Sequence, residues 1–226
     1  MSPLFRRYGL VVFDLDGTLY HQAPVRRAMV RVLLIDALKR RSTRVIGCLR
    51  AYRAAREEGS GALDDAALRA AAAAEAGLSV GEADALITAF MHQRPLPHLA
   101  RARVAGTAAL FQALHDAGVP LAVWSDYPVP EKLAALGLSA DAMVSAEDPA
   151  ILAQKPDPAG LLHLMARFDT APSDTLLIGD RLDRDGAASQ RAGAAFVHRT
   201  DARRRSPAAI ADFTDPRLHA LTAARA

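Results

Sequence analysis

The residues best placed to do chemistry stand at the end of an apolar run, Val11-Val12-Phe13-Asp14-Leu15-Asp16-Gly17-Thr18-Leu19. In an extended strand residues i and i+2 point the same way, so Asp14 and Asp16 share one side. Gly17 supplies the backbone freedom for an abrupt turn out of the sheet. Two carboxylates crowded at a strand end repel each other unless a cation sits between them, and a hard, oxygen-seeking ion such as Mg2+ suits that place. A lone Asp-x-Asp is commonplace among solvated loop acids. Here the preceding run is wholly apolar and the turn follows at once, which marks a site.

Three more polar features close apolar runs or open helices. Leu121-Ala122-Val123-Trp124 runs into Ser125-Asp126, Gln154-Lys155-Pro156-Asp157-Pro158 opens a helix, and Leu176-Leu177-Ile178-Gly179 runs into Asp180, with Asp183 and Asp185 beyond. Each has a plain structural reading. Ser125 or Asp126 caps a helix, Asp180 and Asp183 are acids favoured by a helix dipole, and Lys155 is a surface charge. The lysines, however, are only Lys39, Lys132 and Lys155 in a background strongly biased to arginine. A lysine kept just before Pro-Asp-Pro suits a site that wants a compact point charge and not a planar fork. In open α/β sheets ligands bind outside the carboxyl ends of the strands, and that is where all of these groups fall.

The elements that must position them alternate. After strand 9–14 comes a long Ala- and Arg-rich block with helices expected near 25–40, 43–58, 63–76 and 80–91, broken at Arg41-Ser42, Glu58-Gly59-Ser60-Gly61 and Gly77-Leu78-Ser79. Arg94-Pro95-Leu96-Pro97 reads as a linker. Helices near 103–117, 129–136, 157–168 and 184–192 then alternate with strands near 119–124, 141–144, 175–178 and 194–197, the rhythm of βαβ units and a parallel sheet. The expected fold is therefore α/β: a Rossmann-like parallel sheet core, residues 1–19 and 98–226, with an all-helical cap, residues 20–97, inserted after the first strand. The tail past Asp201 promises at most one short helix.

Composition narrows the function. At 51% hydrophobic and 23% charged residues the chain is an ordinary globular protein with room for one good core and a small insert. Cys48 is the single cysteine, so no internal disulfide forms. The apolar run after Arg6-Arg7 is too short for a signal peptide or a membrane span, which makes the cytosol the expected compartment. Net charge is only +3 although the pI is about 9.3. The clusters Arg26-Arg27, Lys39-Arg40-Arg41 and Arg203-Arg204-Arg205 read as solvated helix surface, because aromatics make up only 5% of the chain and nucleic-acid grooves interleave them with basic residues. A phosphorylated small molecule is the expected partner, with neither nucleic acid nor membrane.

With these motifs in this order, the chain resembles the haloacid dehalogenase superfamily in its phosphatase branch, over about residues 9–200. Val11–Leu19 matches that family's Asp-x-Asp-Gly-Thr-Leu motif, Ser125 its second motif, Lys155 in Lys-Pro-Asp-Pro its third, and Gly179-Asp180 with Asp185 its fourth. The resemblance implies a sheet in the order 5-4-1-2-3 and a helical cap over the site. It implies a Mg2+-dependent hydrolase of small phosphate monoesters that works through an aspartyl-phosphate. Asp14 would be the nucleophile and Asp16 the acid and then the base. Ser125 and Lys155 would hold the phosphoryl oxygens, with Lys155 also restraining Asp14. The Asp14 side chain, the Asp16 carbonyl and Asp180 would hold Mg2+, with Asp185 orienting metal waters or Lys155. Asp126, often Asn in relatives, and Asp183, an extra acid in the fourth motif, depart from the pattern. The same scaffold also serves sugar phosphomutases and non-catalytic binding modules.

Overall fold

The computed structural model of the chain describes residues 4–59, 61–201 and 206–223. Ser60 and Arg203-Arg204-Arg205, read above as part of a turn and as a basic cluster, lie outside the described residues. Strand β1 (Leu10–Phe13) is buried on both faces, which explains why it reads as an unbroken apolar run and not as an alternating one.

The helical block follows as α1 (Gln22–Arg40), α2 (Arg44–Glu58), the short strand β2 (Gly61–Ala62), α3 (Asp65–Ala76) and α4 (Val80–Ile87). Lys39 and Arg40 stand at the C-terminal end of α1, where the helix dipole favours them. Asp64 caps α3, and Ser79 with Glu82 forms a reciprocal capping box on α4. These helices share an apolar cluster that includes Val45, Cys48, Leu49, Tyr52, Ala73, Leu86, Ile87 and Phe90.

Two expectations fail here. Helix α4 does not continue to residue 91 but opens into a wider π-helical turn, Thr88–Gln93. The stretch Arg94–Pro97 is not an extended linker: α5 (Leu96–Ala102) begins inside it, because a proline in a first turn gives up an amide that has no partner there anyway. The expected helix 103–117 is accordingly shorter, α6 (Thr107–Asp116), since Arg103 bridges to Tyr20 in extended conformation and Gly106 adopts φ +77°.

The remaining elements are β3 (Leu121–Ser125), α7 (Pro130–Ala135), β4 (Ala142–Ser145), β5 (Ala153–Gln154), α8 (Ala159–Arg167), β6 (Thr175–Gly179), α9 (Ala187–Ala192), β7 (Ala195–Arg199) and β8 (Ala209–Ile210). The main sheet runs β4-β3-β1-β6-β7-β8, every pair parallel. Its first five strands stand in the expected order. The tail adds both β8 and a 3-10 turn at Pro216–Leu221, one strand more than expected. Alternate residues of each strand feed opposite layers. Val11, Phe13, Val123 and Ile178 pack with α5, α6 and α7, whereas Leu10, Val12, Trp124 and Leu177 pack with α8 and α9. β2 and β5 form a separate antiparallel pair, Gly61 opposite Gln154, which ties the helical block to the residue before Lys155. Among the described residues no helix is long and apolar enough to cross a membrane.

Candidate active site

The carboxyl ends of β1, β3 and β6 meet at one edge of the sheet, and the residue after β5 joins them. This places Asp14, Ser125, Lys155 and Asp180 around one cavity of about 840 Å³, with Asp16, Asp126 and Asp185 also in its wall. Asp14 follows the last residue of β1 and is held there by its amide, which donates to Ile178 O at 2.9 Å.

Asp14 and Asp16 are held by different ammonium groups. Each carboxylate has its own lysine. Lys155 Nζ donates to Asp14 Oδ1 at 2.7 Å, to Asp185 Oδ1 at 2.8 Å and to the Trp124 carbonyl at 3.0 Å. Those three bonds use every N–H of the ammonium in this arrangement. Thr18 Oγ1 donates to the other Asp14 oxygen at 2.8 Å. Asp16 instead accepts from Lys132 Nζ on both oxygens, at 2.7 and 2.8 Å, from Ser125 Oγ at 3.1 Å, and from the Tyr20 hydroxyl.

The electrostatics follow from these partners. Burial, with the nearby charges of Asp185 and Asp180, pushes the Asp14 carboxyl well above its ordinary value in spite of Lys155. Burial alone would also raise Asp16, but the Lys132 charge and the bonds from Lys132, Tyr20 and Ser125 outweigh it and hold Asp16 below the usual carboxylate range. Lys155 is 1% exposed. Burial disfavours its charge, yet Asp14, Asp185 and Asp126 together keep it firmly protonated.

A metal would find its donors in Asp14, Asp180 and Asp185, whose carboxylate oxygens lie within 4.8 Å of one another. The residues fit a hard dication. The donors are all oxygen, and burial first, then the Asp185 charge, pushes Asp180 up to about 6, a shift that a dication beside it would offset. Gly17 keeps the space beside them clear: with φ at +106°, a Cβ there would stand 2.2 Å from Asp180 Oδ2. The Asp16 carboxylate faces Lys132 and lies outside this group, while its carbonyl, the atom expected to reach a metal, accepts from the Gln22 side-chain amide on one of its two lone pairs.

The two departures from the motif pattern have physical explanations. Asp126 turns away from the other carboxylates, accepting from the Lys155 amide at 2.9 Å and from Arg184 Nη1 at 3.2 Å. Asp183 is exposed and pairs with Arg181 at 2.8 Å, whereas Asp185 is 2% exposed and faces Lys155. Asp185 is therefore the second acid of that loop to reach the site, set there by the π-helical turn Leu182–Gly186. Lys132, Thr18 and Tyr20 are the contributors that sequence reasoning missed. The scarcity of lysine that singled out Lys155 points equally to Lys132.

The model of the haloacid dehalogenase-like hydrolases matches residues 8–193, and the chain belongs to that family. It is therefore a hydrolase of this scaffold. Among solved structures it is similar to a 2-haloacid dehalogenase from Pseudomonas syringae pv. Tomato DC3000, at 26% identity and TM-score 0.67, covering 95% of this chain and 99% of that one. It also resembles in fold the HAD-hydrolase YfnB from Bacillus subtilis, solved with magnesium, at 19% identity and TM-score 0.68 over 96% and 100% of the two chains. A predicted phosphoglycolate phosphatase from Haemophilus somnus 129pt shares the fold at 24% identity and TM-score 0.57, over 85% of each chain. No curated protein sequence matches significantly.

Proposed function

We propose that the chain is a Mg2+-dependent hydrolase of small-molecule phosphate monoesters, acting in the cytosol through an aspartyl-phosphate on Asp14. One observation supports this reading: the buried Asp14 shares its oxygens' neighbourhood with two further carboxylates, Asp180 and Asp185, while the Asp16 carboxylate, outside that group, lines the same cavity. Mg2+ held by Asp14, Asp180 and Asp185 would offset phosphate charge and draw off the charge that develops in the transition state. An Asp14 oxygen attacks phosphorus as the P–O bond to the leaving group breaks, and Asp16 gives its proton to the departing oxygen. Water then attacks phosphorus, its proton passes to Asp16, the Asp14–phosphorus bond breaks, and inorganic phosphate leaves. Lys155 holds Asp14 in line, and Ser125 orients Asp16 at 3.1 Å. The helical block over the cavity is the proposed cap.

A second reading, hydrolytic dehalogenation by attack of Asp14 on a halogenated carbon, is favoured by the 26% identity to a 2-haloacid dehalogenase. That displacement needs neither an acid at Asp16 nor a cluster of three carboxylates. The two readings separate in one experiment. Purified protein is expected to release inorganic phosphate from a panel of phosphate esters with Mg2+, to stop on chelation, and to lose turnover in Asp14→Asn while keeping its circular dichroism. Asp16→Asn is expected to slow both steps by roughly 100- to 10,000-fold. Halide release from 2-haloacids in the presence of chelator overturns the phosphatase reading. Phosphate moved to a second hydroxyl of a sugar, with none set free, marks a mutase.

A further inference from the structure

The cavity is divided chemically. Its floor is the carboxylate and lysine cluster, whereas the helical block contributes Met29, Val30 and Leu33 from α1, Leu49 from α2, and Phe90 and Met91 from the turn after α4. Leu49 and Phe90 are buried in the cluster shared by the helices, but Val30 is 55% exposed and Met29, Leu33 and Met91 are only half-buried. These side chains present apolar surface to the space beside the reacting groups instead of closing it. Of the arginines that line the cavity, Arg56 is spent on Asp65 and Glu147, Arg184 on Asp126, and Arg181 on Glu57 and Asp183, whereas Arg26 and Arg53, both exposed, form no ion pair among the described residues and stand at the solvent side of the apolar surface.

We propose that this wall is a subsite for an apolar leaving group, so that the substrate is a phosphate monoester of an alcohol bearing an alkyl chain or an aryl ring. The proposal rests on the phosphatase reading above. A polyhydroxylated leaving group would turn its hydroxyls toward methyl and thioether groups and lose hydrogen bonds to water without replacement. An alkyl chain loses nothing and covers surface that water now wets. Each methylene that enters such a site strengthens binding by about two- to fourfold, less where the wall stays open to solvent, until the space is filled.

The test pairs binding with turnover. n-Alkylphosphonates from methyl to octyl, which cannot be hydrolysed, are titrated calorimetrically into the full chain with Mg2+, and the matching alkyl phosphates are assayed for phosphate release. Affinity and kcat/KM are both expected to climb by about two- to fourfold per methylene, with an increasingly negative heat-capacity change of binding. Val30→Asp, an exposed position whose replacement spares the packed cluster, is expected to flatten that climb in both series, because a charge beside the chain must be desolvated. Esters turned over at rates that ignore or fall with chain length, or a preference for substrates with a second anionic group, overturn the proposal and leave the phosphatase reading intact. Phosphonates that bind more tightly with length while no ester is hydrolysed support the subsite and overturn the phosphatase reading instead.

Discussion

Asp14 and Asp16 are two residues apart and stand in opposite electrostatic surroundings. The first is driven toward its neutral form by burial and then by the charges of Asp185 and Asp180, whereas the second is held as a carboxylate by Lys132 in spite of its burial. A proton donor held below the ordinary range is scarce in its protonated form near neutrality, so on the proposed mechanism Lys132 would govern how much acid Asp16 supplies. Lys132→Met removes that cation and is expected to raise the Asp16 carboxyl. Turnover that needs protonated Asp16 falls as pH rises through its pKa, so the alkaline limb of kcat/KM against pH should move upward in the variant. An unmoved limb would mean that Asp16 is not the acid, whatever the change in kcat. At this scale the site was largely legible, because Asp14, Asp16, Ser125, Lys155, Asp180 and Asp185 each follow or precede an element whose pattern is plain. What was not legible is which lysine meets which carboxylate. That depends on α7 reaching across to deliver Lys132 at 116 residues' separation from Asp16, a distance along the chain that no local pattern encodes.

Among the elements, the strands were the most legible, since parallel strands buried on both faces carry continuous apolar runs such as Leu121–Trp124. The helix ends and irregular turns were less so. A π-helical turn such as Thr88–Gln93 keeps helical composition while widening its hydrogen-bond spacing, and β2 and β8 are two residues each, too short to show a period. The turn after α4 has a measurable consequence. It carries His92, whose two ring nitrogens have no hydrogen-bond partner among the described residues, and burial first, then the Lys132 charge, lowers its pKa to about 4. A histidine near 6.5 in the unfolded chain and about 4 in the fold contributes stability above pH 6.5 that is lost as pH falls toward 4. The loss should reach about 1–3 kcal/mol, after discounting for partial exposure. His92→Phe keeps an aromatic ring and forfeits no bond, so urea unfolding at pH 7 should change little. At pH 5 the wild-type protein should lose more stability than the variant. Equal losses in both proteins would remove His92 as the cause.

At the scale of the whole molecule, besides side-chain ties such as Arg56 to Glu147 and to the Asp126 carbonyl, the backbone of the helical block is attached to the rest of the described residues at three places. Two are the chain connections, which run side by side: His21 N donates to Ala102 O at 2.8 Å and Val104 N to Leu19 O at 3.0 Å. The third is a strap that the sequence did not announce. The β2–β5 pair fastens the chain after α2 to the residues before Lys155, with Leu63 N donating to Leu152 O at 2.7 Å. Arg184 then locks it. Its Nη2 donates to Glu57 O at 2.5 Å and Gly59 O at 3.3 Å, at the open C-terminal carbonyls of α2, while its Nη1 reaches Lys155 O at 3.1 Å and Asp126 Oδ2 at 3.2 Å. One buried guanidinium therefore ties the end of a helix to the loop that delivers Lys155, a span that a planar fork can bridge and an ammonium cannot. Any motion of the helices over the site must bend around this strap or break it, so movement about the two chain connections alone would not open the cavity. Arg184→Met should leave the half-buried Asp126 with only the Lys155 amide as partner and cost about 1–3 kcal/mol. Its more specific effect should be faster amide hydrogen exchange at Leu63 and neighbouring amides, together with weaker turnover as Lys155 loses its support. Arg184→Lys should fail to restore either. Arg181→Met, which cuts only the outer pair with Glu57 at 2.9 Å, should cost less than about 1 kcal/mol and leave exchange at Leu63 near the wild-type rate. If the two methionine variants exchange alike at Leu63, the strap is held without Arg184, which is then not its lock.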